Sequence, residues 1–124
     1  MTGQEYMSFL EQITNLNSAN MTSFMLERDK MSKEEQLSKF KLLSHSADGF
    51  AEAAMAVGAY YNILRHQNEP LSPFNQEECD FLVMDILAKR IKPVFTDKTH
   101  PDYGVNRGWN DALYRSIEIL KSMC

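Results

Sequence analysis

The segment FKLLSHSADGFAEAAMAVGAYYNIL, Phe40 to Leu64, decides the fold class. Within it Phe40, Leu43, Ala47, Phe50, Ala54, Val57, Tyr61 and Leu64 follow one another at alternating spacings of three and four. That is a heptad seam, the pattern of a helix packed along its length against another helix. Ala51 and Gly58 flank it and let a neighbouring backbone come close, while Ala53, Met55, Ala56 and Ala59 make this half apolar nearly all round, as in a central buried helix. Ser32 and Glu35 form a capping box at its start. A continuous helix from residue 33 to 66 would be roughly 50 Å long, whereas a domain of this size is only about 35 Å across. Either the helix kinks or breaks near 44–49, where Ser44, Ser46 and Gly49 favour it, or it projects and another subunit covers it. The stripe Phe40, Leu43, Phe50, Val57, Tyr61 and Leu64 is then the expected interface.

The flanking sequence is helical too. Thr2 and Glu5 have capping-box spacing, and Tyr6, Phe9, Leu10, Ile13 and Leu16 predict a first helix over about residues 3–16, ending in the Asn17-Ser18-Ala19-Asn20 cluster. A short second helix is expected over 21–30. Pro70 and Pro73 mark a linker, after which Asn75 caps a helix carrying Cys79, Leu82, Val83, Ile86 and Leu87 on one side. Lys89, Arg90 and Lys92 suit its C-terminal end, and Pro93 stops it. Asn106 is placed to cap a last helix with the stripe Trp109, Ala112, Leu113, Ser116, Ile117 and Leu120. With no strand, repeat or low-complexity tract, the expectation is an all-α chain: a single helical domain over 1–124, a compact bundle of four or five helices with one long central helix.

Composition narrows the function. The chain has 124 residues, 44% hydrophobic and 24% charged, with 13 basic and 17 acidic side chains and a net charge of −4. Size allows one core, and the acidic balance argues against broad nucleic-acid binding. Two cysteines, Cys79 and Cys124, are too few for a disulfide scaffold, and the N-terminal residues carry no basic or apolar signal region. A soluble protein of the cytoplasm, with no membrane partner, is expected.

The 93–108 loop is the first candidate site, because long loops in small domains are often functional. Lys98, Tyr103, Asn106, Arg107, Gly108 and Trp109 suit an anion or nucleotide: free backbone N–H groups at a helix start, a glycine for close approach, an arginine for bidentate grip and aromatic rings for stacking. The same residues have a plain structural use, with Asn106 capping, Trp109 anchoring the core and the loop wrapping the bundle. The second candidate is acidic. Asp48 and Glu52 share a helical face, and Glu77 and Asp80 form E-x-x-D on the next long helix. Antiparallel helices could bring them together around Mg²⁺. This is similar to the all-α nucleoside triphosphate pyrophosphatases, which pair E-x-x-E with E-x-x-D, although here the first pair is spaced by four. A solvated face accounts for the same residues.

His45, His66 and His100 share no ligand spacing, and no zinc pattern, catalytic triad or glycine-rich phosphate loop is present. Met7, Met21, Met25, Met31, Met55 and Met84 suit either an adaptable interaction surface or core filling. The stretch Tyr103-Gly-Val-Asn-Arg-Gly-Trp-Asn-Asp-Ala-Leu113 resembles the "GWNDAL" openings of terminal helices in small phage and prophage accessory proteins. That resemblance implies a mobile-element protein that binds rather than catalyses. The leading expectation is therefore a small non-enzymatic binding or inhibitor protein, itself a homo-oligomer, that occupies a partner protein in the bacterial cytoplasm without a cofactor. A signalling-nucleotide sponge using residues 96–109 is the alternative, and a Mg²⁺-dependent nucleotide pyrophosphohydrolase the second.

Overall fold

Three of the four helices start where a short polar side chain meets a glutamate. In the computed structural model, which describes residues 1–124, Thr2 and Glu5 close a complete capping box and open α1, Gly3–Glu27. Ser32 accepts from the Glu35 N–H and opens α2, Lys33–His66. Asn75 accepts from the Glu78 N–H and opens α3, which runs as an α-helical turn over Gln76–Asp80, widens to π-helical over Phe81–Leu87 and tightens to a 3₁₀ turn over Ala88–Arg90. The last helix, α4, spans Tyr103–Met123. The fold is all-α, with no strand, and no helix is long and apolar enough to cross a membrane.

Two expected interruptions are absent. α1 does not stop at Asn17–Asn20 but continues to Glu27, followed by a 3₁₀ turn at Arg28–Lys30. An asparagine inside a helix costs only a few tenths of a kcal/mol, and tertiary contacts offset that: Asn20 accepts from Arg115 at 3.2 Å, and Phe24 packs on Phe40 of α2 with ring centroids 6.4 Å apart. Nor does α2 break at 44–49; it is one helix of 34 residues. The small residues there serve close packing instead. A Cβ on Gly49 would lie 2.6 Å from the Trp109 carbonyl oxygen and 2.8 Å from the Ala112 Cβ. A Cβ on Gly108 would collide with the Leu42 carbonyl oxygen and stand 3.1 Å from the Ser46 nitrogen. α2 and α4 therefore meet almost backbone to backbone, and they share the largest interface in the chain.

α1 lies on α2 through a reciprocal pair. The Tyr6 and Tyr61 rings stack at 4.5 Å, with the Tyr6 hydroxyl over Gly58 and the Tyr61 hydroxyl over Gly3. Glu5 also accepts the Phe74 N–H with both carboxylate oxygens at 3.0 Å, which ties the proline linker to the start of α1. Burial pushes its carboxyl up, but the hydrogen bonds from Thr2 and Phe74 outweigh that and hold it below the usual range. Glu78 receives the Met1 ammonium at 2.6 and 2.7 Å together with the Tyr60 hydroxyl. Burial and that acceptor raise the phenol's pKa.

One hydrophobic cluster unites all the helices: Phe9 and Ile13 from α1, Phe50, Ala53 and Val57 from α2, Cys79, Leu82 and Leu87 from α3, and Leu113, Ile117 and Leu120 from α4. This corrects the expected interface. Leu43, Phe50 and Val57 are buried by the chain's own helices, and Tyr61 and Leu64 are half-buried; only Phe40 of that stripe is exposed. α2 is also not apolar-buried all round, since Ala51, Met55, Ala59 and Ile63 form an exposed row at fourfold spacing. Among the methionines, Met7, Met21, Met25, Met55 and Met84 are exposed rather than core fillers.

Candidate functional site

The start of α4 is held by side chains that replace backbone partners for the segment after α3. Asn110 accepts the Lys92 N–H and donates to the Lys92 carbonyl oxygen, both at 2.8 Å, so one amide side chain pairs with one residue's main chain as a strand would. Asn106 donates to the Pro93 carbonyl oxygen at 2.9 Å, and the Trp109 indole N–H to that of Arg90 at 2.8 Å. The Lys92 ammonium sits 4.0 Å above the Trp109 ring. Arg90 in turn pairs with Glu52 of α2 at 3.0 Å. Further along, the loop is shaped by His100 stacked on Phe95 at 3.7 Å and by Asp97, which accepts from Thr99. Those Thr99 side-chain and backbone hydrogen bonds keep the Asp97 carboxyl low.

This geometry reassigns much of the first candidate set. α4 begins at Tyr103, not Asn106, and Asp102 precedes it without a side-chain cap. Asn106 therefore lies inside the helix, buried, with its amide committed to Pro93. Gly108 faces the α2 backbone, where it makes room for a helix. Trp109 has its N–H bonded and a ring face occupied by Lys92. Lys98 is exposed in the loop. Tyr103 and Arg107 remain on the surface together, with the guanidinium 5.6 Å from the ring centre.

The acidic set is not assembled. Asp48 is exposed beside His45, Glu52 pairs with Arg90, Glu77 is exposed, and Asp80 accepts from Gln76 at 2.8 Å. No group of three or more histidine, cysteine, aspartate or glutamate side chains converges so as to hold a metal ion. Cys79 is buried against the Leu120 carbonyl oxygen, to which Cys124 also turns. Burial and the neighbouring Cys124 push the Cys79 thiol up to about 12, which leaves it un-ionised and a poor nucleophile.

What the braced helix creates is a pair of depressions on either side of Arg107 and Asp111. On one side, an open groove of about 380 Å³ runs along Val94, Phe95, Tyr103, Asn106, Asn110 and Tyr114. On the other, a polar cleft of about 240 Å³ lies between α1, α2 and α4, bordered by Asn20, Lys39, Ser46, Gly108 and Arg115. Neither was predicted as such. Lys39 and Ser46 are distant in sequence from the loop, and the packing of α2 on α4 brings them to Arg107, while Arg115 stands about two turns further along α4.

A third feature stands apart from both. At the turn joining α1 to α2, Met25, Leu26, Leu37 and Phe40 are all more than half exposed, with Leu26 and Leu37 at 77% and 72%. The turn beneath them is fixed, because the Gln36 amide donates to the carbonyl oxygens of Arg28 and Met31. Compared with known proteins, the chain matches no family model, no curated protein and no solved structure.

Proposed function

We propose that this chain is a small helical bundle with α2 as its central member, and that it works as a non-enzymatic interaction protein whose α1–α2 end docks on a partner protein. The observation that carries this reading is the continuous α2. Because the helix does not break, its N-terminal turns extend beyond the crossing with α4, and they hold Leu37 and Phe40 beside Met25 and Leu26 in solvent. Large apolar side chains gathered at one end and rimmed by charge are typical of a protein-binding surface. Methionine and leucine repack at little cost against a partner's contour. The Gln36 bonds across the turn pre-organise that end, so little ordering entropy is lost on docking. An inhibitor of the phage or mobile-element type, acting in a bacterial cytoplasm, is the kind of protein this describes. The resemblance of the α4 opening to such accessory proteins supports that reading, as do the unpaired cysteines.

The test is retention of a partner from host lysate by the parent chain and by the Leu26→Asp/Leu37→Asp double variant, with thermal unfolding run in parallel. The expected result is a partner held by the parent and lost by a variant that unfolds at the same temperature. A partner held equally by both would overturn the assignment. Light scattering on the same two samples separates self-association from binding to another protein: a parent dimer that becomes a monomer in the variant would make a second copy the occupant.

A further inference from the structure

We propose that the polar cleft between α1, α2 and α4 is an anion site that takes a phosphate group. The first observation is an orphan. Ser46 is 2% exposed, and its hydroxyl has no hydrogen-bond partner. Other helical hydroxyls in this chain bond back to their own helix: Ser116 to Ala112 at 2.8 Å, Thr14 to Leu10 at 2.9 Å and Ser122 to Ile119 at 2.7 Å. Ser46 does not, and it borders the cleft. A buried hydroxyl without a partner is a group that a ligand can satisfy.

The second observation is charge. The chain carries a net −4, yet the cleft gathers Lys39, Arg107 and Arg115 around a single carboxylate, Asp111. Asp111 forms an ion pair with Arg115 at 3.4 Å, and Arg115 also donates to the Asn20 side-chain oxygen at 3.2 Å, which leaves the Asn20 side-chain N–H groups free to donate. Lys39 and Arg107 make no ion pair. The polar partner of Arg107 is the Tyr103 hydroxyl, at 3.4 Å, so two cations without a carboxylate of their own border one cleft, and a dianion between them removes their repulsion.

The third observation is shape. Leu42, Leu43 and Gly108 close the floor, and Gly108 can do so only because it has no side chain. The remaining volume, about 240 Å³, holds a phosphate with a small organic group attached. A hydroxyl, an amide and arginines approaching from three helices match a tetrahedral oxyanion better than a planar carboxylate. Lys39 borders the cleft one residue from Phe40, but Ser46 and Arg107 lie outside the α1–α2 end, so variants at those two positions test the site apart from partner docking.

Isothermal calorimetry on the full chain at low ionic strength, with inorganic phosphate, a pentose phosphate and adenosine monophosphate as separate probes, tests the proposal. One-site binding of at least one probe is expected. Arg107→Ala and Ser46→Ala should each weaken it about tenfold or more, while Lys121→Ala at the far end of α4 should bind like the parent. Arg107 is exposed, so its variant folds. Binding of inorganic phosphate identifies the free ion as sufficient, and binding of the esters alone identifies an organic phosphate; either result supports the site. No binding of any probe would overturn it, as would binding that both Arg107→Ala and Ser46→Ala leave unchanged.

Discussion

Where α2 meets α4, between Leu42 and Gly49, glycines stand in place of side chains, and the two backbones approach until a single added methyl would collide with a carbonyl oxygen. A few residues toward the start of the same helix, at Leu37 and Phe40, large side chains stand in solvent. One helix thus carries two opposite surfaces. At the crossing the glycines lower helix propensity by about 1 kcal/mol each, and close packing with α4 outweighs that cost. At the free end the residues are costly to expose, yet beyond the contact of Phe40 with Phe24 the fold makes little use of them. The contrast separates residues that specify the structure from residues left over for recognition.

The largest effect that would break this contrast is expected at Gly108. Gly108→Ala places a Cβ against the Leu42 carbonyl oxygen on a backbone that cannot turn aside. Destabilisation of about 3 kcal/mol is expected even after the gain in helix propensity, seen as a fall of roughly 10 °C in the thermal midpoint. A midpoint at or above that of the parent would mean that the crossing is looser than described. Next comes Asn110→Ala, which strips the partners from both the N–H and the carbonyl oxygen of Lys92. A loss of about 2 kcal/mol in urea unfolding is expected, together with faster amide exchange at Lys92. The smallest effect sharpens the other side of the contrast: Leu37→Asp should change stability by no more than about 0.5 kcal/mol, as is usual for an exposed position outside any packed feature. A larger loss, measured in the same urea titration, would show that the free end is part of the fold after all.

Local signals were the legible part of the sequence. Thr2 with Glu5, Ser32 with Glu35 and Asn75 with Glu78 each open the helix they announce, because a cap is a contact between residues three apart and needs no knowledge of the rest of the chain. The all-α class followed from periodicity for the same reason. Helix ends and breaks were less legible. Asn17, Asn20, Ser44 and Ser46 carry real preferences for leaving a helix, but these are fractions of a kcal/mol, and packing against a neighbour overrides them. Gly49 and Gly108 read as flexible points or ligand cradles because a sequence cannot tell room for a ligand from room for a backbone. The Asn106 cap failed similarly, while Trp109 packs against the core as its place in the stripe implied; their partners, Pro93 and Arg90, lie 13 and 19 residues away, and nothing local encodes those bonds. The cleft beside Arg107 needed the register of three helices, so only Arg107 and Gly108 of its border were named from sequence as ligand-binding residues.

The widened turn in α3 gives that helix an unusual sensitivity to chain length. Leu82 and Leu87 are both fully buried although five positions apart, a separation that an ordinary helix would place roughly 140° around its axis and that a π turn brings onto one side. The widened turn already holds about one residue more than a regular turn. A one-residue deletion at exposed Met84 or Asp85 would let the coil relax to regular pitch with little change downstream, whereas a one-residue insertion would swing everything after it by about 100°. Arg90 would then leave Glu52, and its carbonyl would leave the Trp109 indole. In an evolving lineage this segment should therefore lose one residue more readily than it gains one, a bias not expected at the solvent-facing turn at Asp97–Pro101.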